Sequence, residues 1–170
     1  MQPFIIGSKT TSIFPSTKPE APIIYLNIFS DEDQKVYETA QATVWPLFTL
    51  VSISDPDWNH DMSPWNSPPA FKNVEPCTGG AVDYLRHLSE KIIPMAEKDI
   101  GRVPRWRGVA GYSLAGLFAL YSIFYGLFKR TPRRYWLITT ARRSIRCFNR
   151  TKETTFSRAW SAPLPALPGC

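Results

Sequence analysis

The segment from Trp106 to Phe128 constrains this chain more than any other. Trp106-Arg-Gly-Val-Ala-Gly-Tyr112 is a mostly apolar run of strand length, and it leads without a linker into Ser113 and the uncharged stretch from Leu114 to Phe128. A strand that turns straight into a helix leaves one residue at the corner, and the residues two before and two after it must be small for the elements to approach. Gly111 and Ala115 meet that need. A serine at such a corner stands above the sheet at a helix N-terminus, where backbone N–H groups and the helix dipole favour developing negative charge. Ser113 is therefore the candidate nucleophile and the Leu114 N–H a candidate oxyanion donor; the competing role for Ser113 is a plain helix cap.

Upstream, Pro22-Ile-Ile-Tyr-Leu-Asn-Ile-Phe29 and Phe48-Thr-Leu-Val-Ser-Ile-Ser54 are short apolar runs rich in β-branched residues, the pattern of strands buried on both faces. Residues 31–43 between them have a helix-compatible composition. From Ala81 to Ile100, Val82, Leu85, Leu88, Ile92 and Met95 recur three or four apart, which predicts one amphipathic helix bent near Pro94. Strands alternating with helices imply a parallel sheet covered on both faces, a three-layer αβα arrangement. The first 21 residues hold two short apolar runs that periodicity leaves open as edge strands.

Asp55 to Gly80 is crowded with Pro, Asn, Asp, Ser, Gly and Trp, and a loop of this length in a compact domain is usually functional. Its acids Asp55, Asp57 and Asp61 read as turn formers ahead of a cation site. The chain has two histidines, both upstream of Ser113. His60 lies in the loop and is a candidate substitute base, whereas His87 falls off the apolar stripe and reads as a surface residue.

The formal net charge of +6 is unevenly placed: residues 1–128 carry 10 Lys/Arg and 13 Asp/Glu, and residues 129–170 carry 10 Lys/Arg and one acid, Glu153. An arginine-rich arm can adhere to polyanions, but no motif or register in it points to a specific nucleic acid. The uncharged stretch from Gly108 to Phe128 is long enough to span a bilayer, yet it reads as strand plus corner plus helix, so membrane insertion is not expected. Three dispersed cysteines and an N-terminus without the features of a secretory signal suggest a reducing, cytoplasmic setting, with no metal site.

Gly111-Tyr-Ser-Leu-Ala-Gly-Leu-Phe-Ala119, together with Pro22-Ile-Ile-Tyr-Leu-Asn27, Asp57-Trp-Asn-His-Asp-Met-Ser-Pro-Trp65, Gly79-Gly80 before Tyr84-Leu85, and Ile93-Pro94, resembles the esterases of the α/β-hydrolase superfamily related to enterochelin (siderophore trilactone) esterases. The resemblance covers roughly residues 22–125. It implies an α/β-hydrolase fold, a nucleophile elbow at Ser113, and hydrolysis of a small carboxylic ester through an acyl-enzyme, with no metal or cofactor. It also implies a second oxyanion donor from the stretch after Tyr25-Leu26, taken as the Ile28 N–H. In that family the acid and histidine follow the serine, and no histidine follows Ser113 here.

The expectation is thus a partial α/β-hydrolase domain over residues 1–128, its parallel sheet truncated after the elbow, and a basic tail over 129–170 of unrelated composition. Composition and resemblance fail together near Gly126 to Lys129, the pattern left by a change of reading frame or an aberrant truncation. Such a chain would be an inactive or impaired ester hydrolase prone to self-association through an open sheet edge. The competing reading is a noncatalytic, basic or membrane-associated fragment.

Overall fold

A computed structural model of the chain describes residues 4–6, 8–29, 32–42, 48–69, 72–104, 106–125, 134–141 and 144–149. In chain order the elements are β1 (Phe4–Ile6), β2 (Lys9–Phe14), β3 (Ile23–Asn27), α1 (Asp33–Ala42), β4 (Thr49–Ser54), α2 (Trp58–Asp61), β5 (Asn66–Ser67) and β6 (Cys77–Thr78). They continue with α3 (Ala81–His87), a π-helical turn (Leu88–Ile92), α4 (Ile93–Ile100), β7 (Trp106–Tyr112), α5 (Ser113–Tyr125), β8 (Arg134–Ala141) and β9 (Ser144–Asn149).

The three apolar runs singled out in the sequence become β3, β4 and β7, which lie side by side and parallel, with β3 in the middle. One row of opposed residues, Val51, Tyr25 and Val109, crosses all three strands on one face. These side chains are buried in a core shared with Leu85 of α3, Leu88 and Ile92 of the π-helical turn, and Phe118 and Ala119 of α5. On the opposite face Ile24, Leu50 and Ala110 pack against Val36 and Tyr37 of α1. Successive strand residues alternate between two apolar layers, which is why these strands read as continuous apolar runs.

Two features correct the sequence-based expectation. The sheet is mixed, because β1 and β2 add antiparallel beyond β4, and it does not end at β7. β8 pairs parallel with the whole of β7, and β9 returns antiparallel to β8. The Tyr-Trp-Leu-Ile-Thr-Thr run inside β8 has strong strand propensity, which the flanking arginines masked in a reading by charge. The open edge expected at β7 is therefore covered. Residues 126–133 and 150–170, which include the break near Gly126 to Lys129, lie outside the described residues.

The long helix is also phased differently. A π-turn over Leu88–Ile92 ends just before Pro94, and a wider turn relieves the clash that a proline makes with the carbonyl four residues back. The inserted residue rotates the following face, so Ile93 and Ala96 are buried and Met95 is 46 % exposed. Upstream, Ala81, Tyr84, Leu85 and Leu88 form the buried stripe, leaving Val82 outside. Among the described residues no helix is long and apolar enough to cross a membrane, and the uncharged stretch is divided between β7 and α5.

α4 is tied to the sheet by a buried ion pair. Arg107 on β7 donates from Nε and Nη2 to the two carboxylate oxygens of Glu97, the second bond at 2.6 Å, and the Tyr25 hydroxyl donates to the same carboxylate. Burial, and then the Glu97 charge, push the Tyr25 phenol well above its ordinary range, so it stays a neutral donor. Replacing Glu97 with Gln removes the countercharge from a buried guanidinium and is expected to cost about 3–5 kcal/mol. Asp83→Asn, which breaks the exposed Arg86–Asp83 pair, should cost less than about 1 kcal/mol. Urea unfolding of the two variants checks the contrast.

Candidate active site

Ser113 sits at the corner between β7 and α5 with φ 53°, in the left-handed region that a side chain with a Cβ rarely adopts. The corner is tight: a Cβ added to Gly111 would lie 2.5 Å from the Ala115 carbonyl carbon and oxygen. Ala115 is fully buried, and a larger side chain there would meet the same contact from the other side. Ser113 is solvent-exposed, and among the described residues its hydroxyl makes no hydrogen bond. The Leu114 N–H belongs to the first turn of α5, where N–H groups have no intrahelical acceptor.

The expected second donor is placed differently. The Ile28 N–H donates to the Ile53 carbonyl at 3.0 Å and so extends the sheet ladder. Ile28 itself is buried, and the next residue, Phe29, is the first to turn outward, 61 % exposed. Its ring meets Trp58 edge to face at 5.3 Å and 76°, and Trp58 meets Tyr112 at 5.5 Å with the planes tilted by 43°. Burial, and then the Glu32 charge, raise the Tyr112 phenol above its ordinary range.

The loop after β4 reaches this point through α2. Asp57 caps that helix by accepting from the His60 N–H, and Asp61 accepts the Asp57 N–H at 2.8 Å. The same Asp61 oxygen takes the Lys9 ammonium from β2, and the pair is buried. Beside it the Tyr84 hydroxyl of α3 donates to the Asn27 side-chain oxygen at the end of β3. Burial, and then the Asp61 charge, keep that phenol neutral. Lys9, Asp61, Tyr84 and Asn27 thus hold α2 and the end of β3 from below. Sequence reasoning passed over Lys9 and Tyr84 in this role; a polar Asn closing an apolar strand was the one local signal of buried pairing. Asp57 does act as a turn former, and Asp61 serves in an ion pair.

His60 is engaged within its own loop. Its Nδ1 pairs with the Thr78 hydroxyl at 2.7 Å, and the ring lies against the Gly80 Cα so closely that no Cβ fits there. Its backbone carbonyl also accepts the Gly80 N–H at 2.9 Å. These contacts pin the end of the loop that carries β5 and β6. His87 is half-buried on α3.

Comparison with known families gives a match to the family described as "Putative esterase" over residues 29–131. This chain belongs to that esterase family. The match takes in α1, the loop after β4, α3, β7 and the whole Ser113 corner, and it stops close to where the charge turns basic.

Solved structures with the same fold include the BES protein from Bacillus cereus, at 22 % identity and TM-score 0.60, covering 74 % of this chain and 58 % of that one. The siderophore hydrolase EstB from Aspergillus nidulans aligns at 18 % identity and TM-score 0.52, with 74 % and 51 % covered. An IroE-like serine hydrolase from Shewanella oneidensis aligns at 18 % identity and TM-score 0.54, with 67 % and 41 % covered. This esterase-family chain spans about half the length of these structures. No functionally curated protein matches it.

Because the corner has no room at Gly111, Gly111→Ala in this esterase-family chain is expected to force strand and helix apart at a cost of about 1–3 kcal/mol. Thermal unfolding would show the loss, and Gly101→Ala provides a contrast: an added Cβ there meets nothing within 4 Å, although φ 75° adds its own strain.

Proposed function

We propose that this chain carries the nucleophile of a serine-dependent carboxylic-ester hydrolase, with Ser113 on a nucleophile elbow. The observation that supports it best is the left-handed Ser113 between β7 and α5, exposed at the C-terminal end of a parallel strand. In this reading Ser113 Oγ attacks the ester carbonyl carbon and the carbonyl oxygen becomes an oxyanion. The Leu114 N–H donates to it from the helix N-terminus, and the Phe29 N–H, next after the engaged Ile28, is the second donor. Collapse of the intermediate releases the alcohol and leaves an acyl-serine, which water then hydrolyses. Membership of the esterase family and the siderophore hydrolases among the structural neighbours support a small-molecule ester as substrate.

Attack by Ser113 and attack by water each need a base to take up the proton. No histidine follows Ser113 in these 170 residues, and His60 is held by Thr78 and Gly80. We infer that the chain as it stands hydrolyses esters slowly. General-base assistance is worth about 10²- to 10⁴-fold, and that is the expected deficit. The second reading, a noncatalytic fragment, draws on the same missing base.

Hydrolysis of p-nitrophenyl acetate separates the two. The esterase reading predicts a slow rate that added imidazole raises and that Ser113→Ala removes. A rate unchanged in Ser113→Ala, with or without imidazole, contradicts it.

A further inference from the structure

Phe29, Trp58 and Tyr112 come from three separate parts of the chain: the turn after β3, the first residue of α2 and the last residue of β7. Each is joined to the next by a ring contact, and two of them reach solvent, Phe29 at 61 % exposure and Tyr112 at 38 %. Folding normally hides such side chains, and a contiguous apolar patch at the mouth of a site marks a place where something else completes the burial. Tyr112 is covalently adjacent to Ser113, so the patch adjoins the candidate nucleophile.

The rings are not stacked flat. Phe29 stands nearly perpendicular to Trp58 and Tyr112 is tilted to it, an arrangement that leaves ring faces and edges turned at different angles. Aromatic pairs favour such offset and edge-to-face geometries, and a fourth ring can join the set on the same terms, whereas an alkyl group gains only its buried area. Trp58 is also well fixed. It packs partly into the main core, and the Asp57 cap and the Lys9–Asp61 ion pair hold the short helix that carries it. A rigid anchor loses little freedom when a ligand docks on it.

We propose that Phe29, Trp58 and Tyr112 form a specificity subsite that takes an aromatic ring carried by the ester beside Ser113. The proposal rests on the esterase reading for its location, and binding can be measured apart from catalysis.

The test uses the full chain with Ser113→Ala, so that ligand is not consumed, and compares phenyl acetate with cyclohexyl acetate by saturation-transfer NMR titration. The two probes have similar size and differ in the π face. Phenyl acetate is expected to bind about three- to tenfold more tightly, the worth of an aromatic pair beyond its area. Adding Trp58→Ala should abolish the preference and Trp58→Phe should keep most of it. Phe29→Leu, at an exposed position where folding is not at stake, should reduce it. Equal binding of the two probes, or a preference untouched by both Phe29→Leu and Trp58→Ala, overturns the subsite. If the preference holds while p-nitrophenyl acetate hydrolysis proves independent of Ser113, the subsite stands and the esterase reading fails.

Discussion

The close approach of the Gly111 backbone to that of Ala115 governs the geometry on which the rest of the site depends. With no Cβ at one position and a single methyl at the other, β7 runs into α5 without a connecting loop, and the residue between them is forced to φ 53°. Holding a serine there costs about 1–3 kcal/mol and persists only where the surroundings dictate it. They do: β7 lies between β3 and β8, and α5 buries Ala115, Phe118 and Ala119 in the core. Packing of the sheet and helix thereby places a hydroxyl and a free helix N–H side by side.

Two buried polar clusters extend that rigidity in opposite directions. Glu97, Arg107 and Tyr25 tie α4 to the sheet near the start of β7, and Lys9, Asp61, Tyr84 and Asn27 brace the end of β3 and α2 at the rim beside Ser113. Charges taken out of water are tolerated only when paired, so each cluster also fixes which elements meet. At the rim the second cluster sets the positions of Phe29 and Trp58. The aromatic wall is thus a consequence of contacts made beneath it.

Much of this was legible in the sequence where structure is local. β3, β4 and β7 announce themselves as apolar runs because both of their faces are covered, and the Ser113 corner announces itself through Gly111 and Ala115. Long-range pairing is not written that way. Lys9 gives no sign that its partner is Asp61, Ile28 gives none that its N–H belongs to Ile53, and His60 looks free in a loop until Thr78 and Gly80 close around it. The phase of the helix from Ala81 is not legible because Pro94 is accommodated by a π-turn, which shifts the buried face by one residue. β8 is hidden because the arginines around its strand-forming run give the segment the composition of a basic arm.

The central claim is that the strained serine is the reactive one, and mapping the adduct of a fluorophosphonate probe tests it most directly. The tryptic peptide that runs from Gly108 to Lys129 contains Ser113 and the buried Ser122, and tandem mass spectrometry distinguishes them. The account predicts a single phosphonyl group on Ser113 that is absent after denaturation before labelling. An adduct on any other residue, or none on the folded chain, would contradict it.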